Sequence, residues 1–280
     1  MRIVNDDAIR EHASVRFRSD YHYAVFEYWR SAKVLAYLDK AGVRGFSRVL
    51  DDGCGGGGMA VSFAEEARSV VGIEPADRFR DAGIRLAEEK GVRNLSFSRA
   101  DGTALPFGAR AFDLVLSHSV IEHVADPLTY LREARRVLAP GGHMLLQTAP
   151  YLSPSGAHLP RLKVPIPLHL LVGRTAAFAL CRWLGKNAPQ WLDVDPEGNS
   201  FVTMARRGET KMDDLLYRAT VRNLRANIAT AGFRMVREDL AVSRLLVRNL
   251  PTTLSSRVPN VPLIRDIFVT NMEYVLANTA

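Results

Sequence analysis

Arg48-Val49-Leu50-Asp51-Asp52-Gly53-Cys54-Gly55-Gly56-Gly57-Gly58 is an apolar run that ends in two acids and then in glycine. A short β-type segment opening into residues without side chains, followed by the helical pattern Met59 to Ala67, lets backbone N–H groups approach a nucleotide-like ligand in an α/β domain. An adenosine-like body is expected here. Gly53 to Gly58 also satisfies G-x-G-x-x-G, so at this loop a dinucleotide enzyme and a ligand-free tight turn stand as alternatives.

The loop belongs to a chain of 280 residues, enough for one large α/β domain with an insertion or for two small domains. The net charge of +7 is unevenly placed: residues 1–150 hold 20 basic and 20 acidic side chains, and residues 151–280 hold 17 and 10. The second half therefore carries the excess, which points to an anionic substrate, a membrane surface or nucleic acid, or simply to an arginine-rich solvated surface. Only Cys54 and Cys181 are present, so a disulfide framework is excluded as a folding device and a reducing cytoplasm is the expected setting. Met1 to Asp7 has no apolar core of the kind a secretory signal needs. The most apolar span, Val164 to Leu184, is interrupted by Pro165, Pro167, His169, Arg174 and Arg182 and is not expected to cross a bilayer.

Outward from the loop, residues 21–42 space apolar groups at helical intervals and stop at Gly42. This helix is expected to lie near the glycine loop as an N-terminal lid (residues 1–45). From it Tyr23, Tyr28 and Arg30 could reach a ligand, although an aromatic stripe at that spacing is more often core. Strands are predicted at Ser69 to Pro75, Leu95 to Arg99, Ala111 to Ser117 and His143 to Pro150, with helices at 77–91 and 126–138 and a Pro140-Gly141-Gly142 turn before the fifth strand. Strands alternating with helices give a parallel sheet. Glu74, followed by Pro75, ends the second strand about twenty residues beyond the first glycine, where a carboxylate can accept ribose hydroxyls. Asp101, with Gly102 beside it, ends the third strand and could accept from an adenine amine.

Taken in order, Val49-Leu50-Asp51-x-Gly53-Cys54-Gly55-x-Gly57, Gly72-Ile73-Glu74, Ala100-Asp101-x-x-x-Leu105-Pro106-Phe107, Phe112-Asp113-Leu114-Val115, Ile121-Glu122-His123-Val124 and Leu138-x-Pro140-Gly141-Gly142 resemble the class I S-adenosylmethionine-dependent methyltransferases, in particular the branch with the ubiquinone/menaquinone-type small-molecule enzymes. The resemblance implies a Rossmann-like seven-stranded, mostly parallel sheet with an antiparallel last strand. It implies that Asp51, Gly53, Gly55 and Gly57 lie under the methionine part of S-adenosylmethionine, that Glu74 holds the ribose and Asp101 the adenine amine with Gly102 beside it, and that the Ser117 backbone faces the methionine end. Gly56 and Gly58 depart from the family pattern, which has a small hydroxylated residue near Gly56. On this reading residues 46–150 are the cofactor-binding core, 151–210 a substrate-recognition insertion after the fifth strand, and 211–280 the rest of the sheet. The last part is expected to hold a helix from Lys211 to Ala231, a sixth strand from Gly232 to Glu238 and a final strand from Ile267 to Leu276, with Ser243 to Arg265 also assigned to substrate recognition.

Methyl transfer from a sulfonium is an in-line displacement, so holding the reactants in line can supply most of the catalysis. A hydroxyl acceptor must still lose its proton, and a neutral imidazole is the usual means. His158, in the turn-rich segment after the fifth strand, is the expected base, with His118 next and His123 read as structural. His118, Glu122 and His123 do not have the spacing of zinc helix motifs, so no metal is expected. The apolar stretches from Val164 to Val172 and from Thr175 to Leu184, flanked by Arg161, Lys163, Arg174, Arg182 and Lys186, are expected to form a substrate lid, a homodimer contact or a peripheral membrane contact. The expected activity is O-methylation of a small-molecule, glycan or lipid-linked acceptor. The alternatives are an RNA methyltransferase, disfavoured because no Lys/Arg run with interleaved aromatics is present, and a non-catalytic cofactor-binding protein.

Overall fold

Alternation of side chains along short β-branched and leucine-rich runs puts successive residues on opposite faces of a sheet, and here both faces are covered. Seven strands form the sheet: β1 (Arg48–Asp52), β2 (Ser69–Glu74), β3 (Leu95–Arg99), β4 (Phe112–His118), β5 (Leu138–Thr148), β6 (Arg234–Val242) and β7 (Val269–Ala277). Their order is β3-β2-β1-β4-β5-β7-β6, with β7 antiparallel to both of its neighbours and the pairs from β3 to β5 parallel. Leu50, Ile73, Val115, Met144 and Leu146 point to one core, and Val49, Val70, Leu114, Leu116 and Leu145 to the other. The computed structural model describes residues 3–16, 18–77, 79–153, 155–160, 162–163, 168–192, 200–249 and 251–279.

Helices α1 (Asp6–Val15) and α2 (Asp20–Lys40) precede the sheet, and α3 (Gly58–Ala64), α4 (Phe79–Glu89) and α5 (Pro127–Val137) connect its parallel strands. Ser19 caps α2 by accepting from the His22 N–H, and the helix ends just before Gly42. In the insertion, α6 (Leu168–Val172), α7 (Arg174–Asn187) and α8 (Ser200–Arg207) are separate helices. The methyl of Ala205 and the ring of Phe201 on α8 pack against Gly185 of α7. Helix α9 (Val221–Thr230) covers the sheet beside α5, and α10 (Arg244–Asn249), α11 (Thr252–Ser255) and α12 (Pro262–Phe268) lie between β6 and β7.

Several expected boundaries move, the sixth strand among them, which runs from Arg234 to Val242. Lys211 to Tyr217 is not helical, because the Leu216 and Tyr217 N–H groups donate to the Glu122 carbonyl and not to carbonyls one turn back. A reciprocal capping box between Thr220 and Asn223 starts α9 instead at Val221. The Pro140-Gly141-Gly142 turn is a bulge inside β5, which begins at Leu138 and stops at Thr148. Ile267 and Phe268 finish α12, so the last strand starts at Val269.

Candidate functional site

The sheet order reverses at β1, and in an open α/β sheet the crevice beyond the carboxyl ends at that reversal is where ligands bind. Gly53, Gly55 and Gly57 all have positive φ, so the loop after β1 turns back at once, and the Gly55 N–H donates to Glu74 Oε2 at 3.0 Å. Gly58 answers a second demand. A Cβ on it would stand 1.9 Å from the Ala24 carbonyl oxygen, so α2 lies directly on the start of α3, and Gly56 likewise faces Ala24 and the Asp20 carbonyl. The two glycines beyond the family pattern are thus where the N-terminal helix seats itself on the loop.

Asp51, Asp52 and Glu74 are all buried at adjacent strand ends. Burial, then Glu27 on α2, Asp52 and Glu74, push the Asp51 carboxyl up to about 8. Burial also pushes Asp52 up to about 7, the Tyr130 hydroxyl opposing and Asp101 and Glu74 adding to the rise. One oxygen of each, Asp51 Oδ2 and Asp52 Oδ2, is buried without a hydrogen-bond partner. Gly102 packs over Asp52: a Cβ there would lie 2.8 Å from both of its carboxylate oxygens and 2.5 Å from Tyr130. Asp101 is exposed and accepts from the Thr103 N–H and hydroxyl at 2.8 Å each. Pro75 is exposed beyond Glu74, with its carbonyl accepting from Arg99 Nε at 2.8 Å. Ser117 is buried at the end of β4, where its hydroxyl accepts from Tyr130 at 2.7 Å. Asp52, Tyr130 and Glu27 were missed in the sequence. Asp52 occupies the variable position of its motif, and the other two arrive from elements distant in the chain.

His118, at the tip of β4, has Nδ1 3.2 Å from an Arg30 N–H, and Arg30 also pairs with Glu27 at 2.6 Å. Burial and then Arg30 hold the imidazole well below its ordinary value, so it is neutral. With Nδ1 accepting from Arg30, the ring proton sits on Nε2 and the ring presents a donor. Tyr28 donates to Glu65 at 2.6 Å and Tyr23 packs on the edge of Phe26, so of the three α2 residues only Arg30 turns toward a site histidine.

His158 does not have the neutral ring that a general base needs. It is a non-glycine residue with φ of 51°, held with Nδ1 2.9 Å from Asp213 Oδ2 and Nε2 3.6 Å from Glu122 Oε1. Partial burial opposes its charge, yet the two carboxylates prevail and raise it to about 9. A ring that is already protonated at neutral pH cannot accept the proton of a hydroxyl. His123 is adjacent, its ring centroid 5.3 Å away, with Nδ1 donating to the Asp214 carbonyl at 2.7 Å. Tyr130 feels both Asp52 and Glu122, which links this group to the carboxylates under β1.

Residues 50–146 match the family model described as a methyltransferase domain. The chain carries a class I S-adenosylmethionine-dependent methyltransferase domain. Over 101 residues it is 40% identical to the ubiquinone biosynthesis O-methyltransferase of Cereibacter sphaeroides, covering 36% of this chain and 40% of that enzyme. The chain therefore spans less than half the length of that curated relative. Among solved structures, one from Galdieria sulphuraria, described as a candidate sarcosine dimethylglycine methyltransferase, is similar with a TM-score of 0.54 at 13% identity, covering 89% of this chain and 85% of that one. The [4+2]-cyclase SpnF is similar with a TM-score of 0.51 at 15% identity, covering 88% and 80%. At such identities the likeness is one of fold, and the cyclase shows that the fold alone does not name a reaction.

The cofactor of this domain is S-adenosylmethionine, and the residues present fit it. Two buried carboxylates with an unpartnered oxygen each suit a ligand that carries a sulfonium and an ammonium, and Glu74 stands at the strand end where ribose hydroxyls are taken.

Proposed function

We propose that the protein transfers the methyl group of S-adenosylmethionine to a hydroxyl of a small, apolar acceptor. The observation that carries this reading is the pair of orphaned carboxylate oxygens of Asp51 and Asp52 beside Glu74 in a domain matched to methyltransferases. In it, Glu74 holds the ribose, Asp51 and the positive-φ glycines take the methionine end, and Asp101 with Gly102 lies beside the adenine. Bound S-adenosylmethionine supplies the electrophilic methyl; the chain's own share is to align the acceptor and exclude water. The hydroxyl is placed beside Glu122 and His123 at the carboxyl ends of β4 and β5, with the protonated His158 excluded as its base. His118 positions by donation.

A lipid-like acceptor, or contact with a membrane surface, is supported by the insertion. Leu171, Val172, Trp183 and Trp191 are each more than half exposed there, next to Arg182 and Lys186. No helix among the described residues is long and apolar enough to cross a membrane. The test is mass spectrometry of a cell extract incubated with the protein and an isotopically labelled methyl donor. A labelled hydroxyl-derived ether in an apolar fraction is expected. Label confined to RNA, or none in any fraction while the protein binds S-adenosylhomocysteine, overturns the reading.

A further inference from the structure

We propose that Glu122, His123 and His158 bind a divalent transition-metal ion at the carboxyl ends of β4 and β5. Each of the three offers one ligand atom, and these atoms lie within 4.8 Å of one another. His158 Nε2 and Glu122 Oε1 are 3.6 Å apart, too long for a hydrogen bond between them. It is close to the roughly 3.4 Å edge of a tetrahedron whose centre is about 2.1 Å from nitrogen and oxygen ligands.

The second observation is what holds the three side chains from behind. The nitrogen of His158 that faces away from the group is 2.9 Å from Asp213, and that of His123 donates to the Asp214 carbonyl at 2.7 Å. The other oxygen of Glu122 accepts from the buried Thr148 hydroxyl at 2.8 Å. Ligating histidines are held in this way, with the far ring N–H given to a carboxylate or a carbonyl and the ligating carboxylate itself hydrogen-bonded. Glu122 is 4% exposed, a position at which a carboxylate needs a positive partner. Two imidazoles and one carboxylate suit zinc, cobalt, iron or nickel better than calcium or magnesium, and leave a fourth position to an oxygen of solvent or substrate. Metal binding displaces the Nε2 proton of His158, leaving Nδ1–H on Asp213, and the site stands independently of which acceptor is methylated.

Chelator-treated full-length protein titrated with Co(II) gives the test. Expected are visible d–d bands that saturate at one equivalent and are abolished when Zn(II) is added. His158→Ala, Glu122→Gln and His123→Gln are each expected to remove the bands, and Asp213→Asn to weaken binding about 10- to 100-fold. S-adenosylhomocysteine affinity by calorimetry reports whether each variant is folded. If His158→Ala or Glu122→Gln fails to fold, the exposed His123→Gln decides. No displaceable Co(II) signal in the wild type, or a signal that His123→Gln leaves intact, overturns the proposal and leaves the cluster as an ion pair that pins a loop.

Discussion

The carboxyl ends of β1 and β2 and those of β4 and β5 open on the same crevice but are finished differently. At the end of β1, beside Glu74 of β2, Asp51 and Asp52 are buried with one oxygen each that no side chain or backbone group satisfies, and burial together with like charge pushes both upward. Beyond β4 and β5 the clustered side chains have partners from distant stretches: His158 has Asp213, His123 has the Asp214 carbonyl, and Glu122 has Thr148. Asp51 and Asp52 each leave an oxygen to be met from outside the chain, whereas Glu122, His123 and His158 are held from behind by the chain's own long-range contacts. The same sheet thus separates one end built mostly from local motif from another built from tertiary structure.

The widest effect that can break this contrast is expected at Glu74. Glu74→Ala removes an acceptor of charge-assisted bonds, and S-adenosylhomocysteine affinity by calorimetry should fall about 100-fold while the chain still folds. An unchanged affinity would place the ribose elsewhere. Gly58→Ala drives a methyl into the Ala24 carbonyl, and overpacking of this kind should cost about 1–3 kcal/mol in urea unfolding.

The third expectation concerns pH. Asp51 sits near 8 when folded, above its ordinary value of 3.8, so its contribution to stability is present in full below the unfolded value and is lost as pH rises toward 8. A bound cation favours the ionised carboxylate and offsets that loss. The rise in Tm produced by S-adenosylmethionine should therefore be larger at about pH 8.5 than at about pH 6, and Asp51→Asn should flatten the difference. The smallest effect sharpens the comparison from the other side. Leu171→Ser with Trp183→Ser, both exposed, should leave stability within about 0.5 kcal/mol and cofactor affinity unchanged, while raising KM for a lipid-like acceptor or releasing the protein from anionic vesicles.

The same division explains what could be read from the residues alone. Glycine at 53, 55 and 57 and acids at 51 and 74 lie within one strand–loop–helix–strand unit, so their order along the chain already carries their geometry. Gly56 and Gly58 looked like departures from the family pattern, because what they accommodate, the backbone of Ala24, is brought in by tertiary packing. The place of His158 in the loop after β5 makes it a candidate base in the sequence. Its ring state depends on Asp213, fifty-five positions on, in a stretch whose composition suggested a helix. That stretch is extended because its N–H groups are claimed by the Glu122 carbonyl, an event with no local signature.

The extended segment 211–220 has a consequence for exchanging parts between relatives. Leu216 and Tyr217 are tied to the turn after β4, and the Ala219 carbonyl accepts from the Tyr151 N–H at 2.8 Å, so the far margin of the insertion is anchored to its near one. A chimera that borrows another protein's counterpart of residues 151–210 by joining at Thr210 would replace helices α6 to α8 but sever them from the strap that holds His123 and His158 in place. The natural graft runs from Tyr151 through Ala219, with the capping pair Thr220 and Asn223 left to the host.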